Sequence, residues 1–171
     1  MRKLALSIGL LTLVVLLLAS GVPQARQTDP QAEAGLKKLM ESYQAAVEKQ
    51  DLVAIMKCFA DGPDTVVMGT GPGELYVGKE SIENAHRAFF SNYVKEQDKI
   101  TWMKSGVNGN AAWIAGTSQI IQTQKKGENA FDMNWSAVLE KQGGEWKIVA
   151  LHFSHLTGPG GPTPPAQGGA S

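Results

Sequence analysis

After Asp29-Pro30, apolar side chains return every three or four positions through Leu36, Leu39, Met40, Tyr43, Ala46 and Val47. That is the period of an amphipathic helix, with Asp29 as N-cap and Pro30 at the first helical position, where its missing N–H is no loss. Asp51 repeats the capping signal ahead of Leu52, Ile55, Met56 and Phe59, a short second helix that stops at Asp61-Gly62-Pro63. Residues 65–69 read as a strand through their β-branched content, and Thr70-Gly71-Pro72-Gly73 turns the chain into a short partner, Leu75-Tyr76-Val77. Helical period returns over residues 79–97, with Ile82, Ala85, His86, Phe89, Phe90 and Tyr93 on one side. Beyond Asp98 the pattern is that of strands, roughly residues 100–106, 111–123, 130–141 and 145–155. They are parted by Asn108-Gly109-Asn110, Lys125-Lys126-Gly127 and Gln142-Gly143-Gly144.

No connection between these strands is long enough for a crossover, so they form an antiparallel meander. The order of elements predicts an α+β domain in which a curved antiparallel sheet packs on about three helices from the N-terminal half. The last hairpin predicts its own register. With Gly143-Gly144 as a two-residue loop, Lys141 faces Trp146, Glu140 faces Lys147, Leu139 faces Ile148, Ala137 faces Ala150, Trp135 faces His152 and Met133 faces Ser154. Trp135, Ala137, Leu139, Trp146, Ile148, His152 and Ser154 then share one face, and Val138, Val149, Leu151 and Phe153 share the other. The second set is too apolar for water, which predicts a homodimer through the outer sheet face.

The first positions break this pattern. Residues 4–19 are an almost unbroken apolar run behind Arg2 and Lys3, followed by Ala19-Ser20-Gly21, the layout of a secretory signal peptide spanning residues 1–21 with cleavage between 21 and 25. The run is short for a membrane span. The expectation is an exported protein, periplasmic or secreted, with an uncleaved N-terminal membrane anchor as the alternative and no other membrane segment. Residues 158–171 are rich in Gly and Pro and read as a disordered tail, which leaves a domain over residues 28–157. Sixteen basic groups balance sixteen acidic ones with no basic stripe, which argues against nucleic acid as a partner. The single Cys58 excludes an internal disulfide, so burial must hold the domain together.

The strings ADGPDTVVMGTGPGELYVGKESI and GEWKIVALHFS, in this order of elements, resemble the SnoaL-like and ketosteroid-isomerase-like branch of the nuclear transport factor 2-like superfamily over nearly all of the domain. The closing pattern is carried by Gly144, Trp146, Ile148, His152 and Ser154. The resemblance implies a cone: a curved sheet wrapped round helices with a cavity between them. Members include isomerases, dehydratases, polyketide cyclases, an association domain and binding modules, so the resemblance speaks for the fold and leaves the activity open.

In the expected register His152 and Ser154 share the interior face with Trp135. His152 is there the candidate catalytic residue, a proton carrier or a hydrogen-bond donor to a ligand oxygen, and a core histidine satisfied by Ser154 or a backbone carbonyl is the competing reading. His86 approaches the same space from the third helix. Tyr43, Phe59, Phe90, Trp113 and Trp135 would line it, with core filling as the alternative for each. Glu74 and Tyr76 belong to the rim. Asp132 and Asn134 have the opposite parity from Trp135, so the carboxylate base of the isomerase-type members is not recovered. His155 lies three residues from His152 and on the other face of its strand, no other spacing indicates a metal site, and no cofactor is implied. Three readings follow: an exported domain binding a small, largely apolar molecule in its cone; an isomerase, lyase or cyclase using His152; and a homo-oligomeric association module.

Overall fold

The computed structural model describes residues 29–124 and 127–155. The expected signal peptide, its cleavage point, the Gly/Pro-rich tail and the Lys125-Lys126 turn lie outside them. The Asp29 carboxylate accepts the Gln31 N–H at 2.9 Å and opens helix α1, Pro30–Glu48, which buries Leu36, Met40, Tyr43, Ala46 and Val47. Asp51 accepts the Ala54 N–H, also at 2.9 Å, and opens helix α2, Leu52–Cys58. Each cap satisfies an amide that the first helical turn leaves without a partner. Past α2, the Ala60 N–H donates to the Ile148 carbonyl at 2.8 Å, which ties the start of the next segment to the sheet. Strands β1, Val66–Met68, and β2, Leu75–Val77, form the expected hairpin and lead into helix α3, Lys79–Asn92. No described helix is long and apolar enough to cross a membrane.

Four long strands follow: β3, Lys95–Asn108; β4, Ala111–Gln124; β5, Gly127–Gln142; and β6, Glu145–His155. They pair as the expected antiparallel meander. The sheet order is β2-β1-β6-β5-β4-β3, and β1 pairs with β6 in parallel, so the six-stranded sheet is mixed. Helices cover its inner face, and the core fills the space between. Ile114, Leu139, Ile148 and Leu151 from the strands meet Leu36, Ile55, Phe59 and Ile82 from the helical side.

Two expectations need correction. Helix α3 ends at Asn92, not near Gln97, because Tyr93 is already extended (φ −121°, ψ 140°) and Lys95 pairs with Thr123. The ladder to β4 imposes alternation on Lys95-Glu96-Gln97-Asp98-Lys99, a stretch with no strand propensity of its own. The second correction is the register of β5 and β6. From Gln142–Glu145 to Leu139–Ile148 it is as expected, but Val138 then pairs with Ala150, Ala137 with Leu151, Trp135 with Phe153 and Ser136 with His152. Val149 is one extra residue on β6, a bulge, and beyond it every side chain changes face. Leu151 and Phe153 therefore turn inward and His152 turns out to an exposed position. The apolar outer face expected to pair with a second copy loses Leu151 and Phe153. Val138 remains there, exposed, opposite the part-exposed Trp113.

Candidate functional site

A second bulge, at Thr101, interrupts the pairing of β3 with β4 between Ile100 and Trp102. It lets Glu96, Asp98 and Ile100 face inward on one side of the break while Met103 and Val107 pack on the core on the other. Two carboxyls thus enter the interior from one strand, opposite α1 and α3. They lie in the wall of a cavity of about 380 Å³ bounded by α1, α3, the β1–β2 hairpin and the far ends of the long strands.

The helical side of this cavity is a hydrogen-bonded pair. Tyr43 Oη lies 3.0 Å from His86 Nε2, and His86 Nδ1 lies 2.8 Å from the Ile82 carbonyl oxygen. A carbonyl only accepts, so Nδ1 carries the hydrogen, and burial pushes the ring below its ordinary histidine range and keeps it neutral. Nε2 is then an acceptor, and the Tyr43 hydroxyl donates to it. Burial, with the Glu96 carboxylate next in importance, raises the Tyr43 hydroxyl above its usual range, so it stays protonated. What Tyr43 turns toward the cavity is an oxygen lone pair.

The sheet side is acidic. Burial raises both the Glu96 and the Asp98 carboxyls, and each is raised further by a neighbouring carboxylate, Asp98 for the first and Glu48 for both. Gln122 Nε2 donates to Glu96 Oε2 at 2.6 Å and partly offsets that rise. Gln44 and Ser118 favour the ionised Asp98 in the same way, and Ser118 Oγ itself accepts from the Trp135 indole N–H at 2.9 Å. Asp98 Oδ1 is nonetheless buried with no hydrogen-bond partner among the described residues. A buried acceptor left unpaired costs about 1–3 kcal/mol, more when it is charged.

With this geometry in place, a sequence profile decides the family: that of the SnoaL-like domain matches residues 36–158, well over half of the chain. The chain belongs to the SnoaL-like domain family. No curated protein matches it. Solved structures that resemble this SnoaL-like domain include a nuclear transport factor 2-like superfamily protein from Salmonella enterica serovar Typhimurium, 19% identical, with a TM-score of 0.67 over 76% of this chain and 96% of that one. A candidate dehydratase of the same superfamily from Streptomyces avermitilis is 16% identical, with a TM-score of 0.66 over 76% and 100%. A protein of unknown function from Pseudomonas putida is 18% identical, with a TM-score of 0.66 over 74% and 88%. At these identities the likeness establishes the nuclear transport factor 2-like fold.

Of the residues singled out in the sequence, Tyr43 and His86 meet in the cavity wall of this SnoaL-like domain. Phe59 is buried behind them, edge-on to Tyr43 at 5.9 Å and to His86 at 6.1 Å between ring centroids, and lies outside the wall. Phe90 packs on His86 at 6.3 Å, while its neighbour Phe89 takes the place in the wall. Trp135 is buried directly across from Gly116, where any Cβ would collide with the indole, and serves the core. Trp113 is 42% exposed, over Gly106. His152 and Ser154 do not reach the cavity, because the Val149 bulge gives the inner parity to Phe153 and His155. Glu74 and Tyr76 line the rim, where Glu74 Oε2 accepts the Gly71 N–H at 2.9 Å. Glu96, Asp98 and Gln122 are the residues that sequence reasoning missed. The available signal was parity: counting back in twos from the apolar Ile100 reaches Asp98 and Glu96. Among the described residues no group of three His, Cys, Asp or Glu is arranged to hold a metal.

Proposed function

We propose that this SnoaL-like domain binds a small molecule with a largely apolar body in its internal cavity, the polar end of that molecule resting against Asp98 and Glu96. The observation that supports the reading is the cavity of about 380 Å³ itself, with the Asp98 and Glu96 carboxyls in an otherwise largely aromatic and apolar wall. The ring-lined remainder of the wall, with Phe89, Phe131 and Phe153, matches the apolar body. A metabolite screen read by melting temperature tests this: a ligand that binds the native state raises the midpoint, and Ala85→Trp, which fills the cavity from α3, abolishes the rise. Native mass spectra without any retained molecule, together with a screen in which nothing shifts the midpoint, would overturn it.

A second reading is proton transfer of the isomerase or lyase type, with Asp98 in place of His152 as proton carrier. It is favoured by two half-buried carboxyls held above their ordinary range opposite a neutral His86–Tyr43 pair. Two of the similar structures are candidate dehydratases. Its test is turnover of an enolisable or dehydratable substrate, lost in Asp98→Asn with the fold intact.

A further inference from the structure

The chemistry of the cavity wall specifies the charge of what it holds. The Tyr43 hydroxyl spends its hydrogen on His86, and Gln122 spends an N–H on Glu96. Tyr43, Glu96 and Asp98 therefore offer lone pairs to the cavity. Glu74 adds a third carboxylate at the rim, and none of the described residues lining the cavity is Lys or Arg. Aromatic faces complete the enclosure: Tyr76, Phe89, Tyr93, Phe131 and Phe153. Gln44, Thr70, Gln124 and Asn129 add neutral amide and hydroxyl groups, but three carboxyls with no Lys or Arg among the described lining residues disfavour an anion. The space suits a cation that brings its own N–H donors.

We infer that the cavity takes an organic ammonium ion, a protonated primary or secondary amine on a compact apolar or aromatic body. The inference rests on the binding reading above and names its ligand class. Glu96 and Asp98 are two residues apart on one strand, so their Cα atoms stand about 7 Å from each other and a single ammonium group fits between the carboxyls. A positive charge between them relieves the repulsion between the two acids. The ring faces take the positive charge that spreads to the adjoining CH groups.

The test is calorimetric titration of the folded domain at pH 7.5 with three probes of one size: benzylammonium, benzyl alcohol and benzoate. Benzylammonium is expected to bind at least about tenfold more tightly than benzyl alcohol, with benzoate the weakest. Asp98→Asn is expected to erase the preference for the ammonium over the alcohol, and Glu96→Gln to reduce it, which provides a second reading if one variant fails to fold. Equal binding of the three probes, or a preference that survives both substitutions, overturns the ammonium inference and leaves the binding reading standing. No binding by any probe, in a protein whose melting curve is normal, counts against both.

Discussion

The inner surface of the sheet is built in two ways on the same strands. Toward the β5–β6 turn it is dry and charge-free, with Ile114, Leu139 and Ile148 fully buried against the helices. Toward the opposite end, the same inward positions of β3 and β4 carry Glu96, Asp98, Ser118 and Gln122. Strand β4 shows the change along a single line, from Ala112, Ile114 and Gly116 to Ser118, Ile120 and Gln122, all buried. One end holds the fold together; the other spends stability on desolvated acids and encloses a cavity. Stability and chemistry are therefore separable by position, and substitutions at the two ends should have opposite signs.

The largest effect is expected at the dry end. Leu139→Ala leaves a void at a fully buried core position and should cost about 2–5 kcal/mol by chemical denaturation. Gly116→Ala comes next: its Cβ meets the Trp135 ring, so the indole must leave its bond to Ser118, at a cost of about 1–3 kcal/mol with a shift in tryptophan emission. At the polar end, Asp98→Asn should stabilise the protein by roughly 1 kcal/mol at pH 7, since it removes a desolvated charge from a position with an unsatisfied oxygen. A loss of stability there would erase the contrast between the two ends.

The pH dependence sharpens the same contrast. Glu96 and Asp98 are raised in the fold, so their contribution is greatest below their unfolded values of 4.5 and 3.8 and is lost as pH rises through the higher folded values. His86 is lowered, so its contribution is present above the unfolded 6.5 and lost as pH falls below it. The two oppose each other between neutrality and mild acid. Tyr43 and Glu48 on α1, and Glu74, Tyr76, Tyr93 and His155 on the remaining walls, are the other titratable groups around them. In His86→Gln the midpoint should rise as pH falls toward the unfolded carboxyl values, because the opposing histidine is gone, and in Asp98→Asn the gain on acidification should be smaller than in the unsubstituted protein; thermal melts from neutral to mildly acid pH check both. The smallest effect is expected at His152, which lies on the outer face. His152→Ala should change stability by no more than about 0.5 kcal/mol and leave probe binding intact.

The fold was legible because its signals are local. Capping residues, helical period, β-branched runs and Gly-rich turns each report on a few neighbouring positions, and together they allow few topologies. Tyr43 and His86 were legible for the same reason, from their place on the apolar stripes of α1 and α3. The acidic half of the site was not. Lys95-Glu96-Gln97-Asp98-Lys99 looks like the end of a helix and becomes strand only through pairing with β4, from Thr123 to Gln119, far along the chain. The bulges at Thr101 and Val149 are single extra residues without a compositional mark, and the second of them exchanged His152 for His155 as the inward imidazole.

Strand β6 thus contains two possible interiors, interleaved residue by residue. The stagger at Val149 chooses Leu151, Phe153 and His155, whereas the same residues paired without a stagger would present Ala150, His152 and Ser154. Excising Val149 would keep the present lining, because Ala150 would still meet Val138 and Leu151 would still meet Ala137; which imidazole faces the cavity is decided by where the stagger sits rather than by which residues the strand contains.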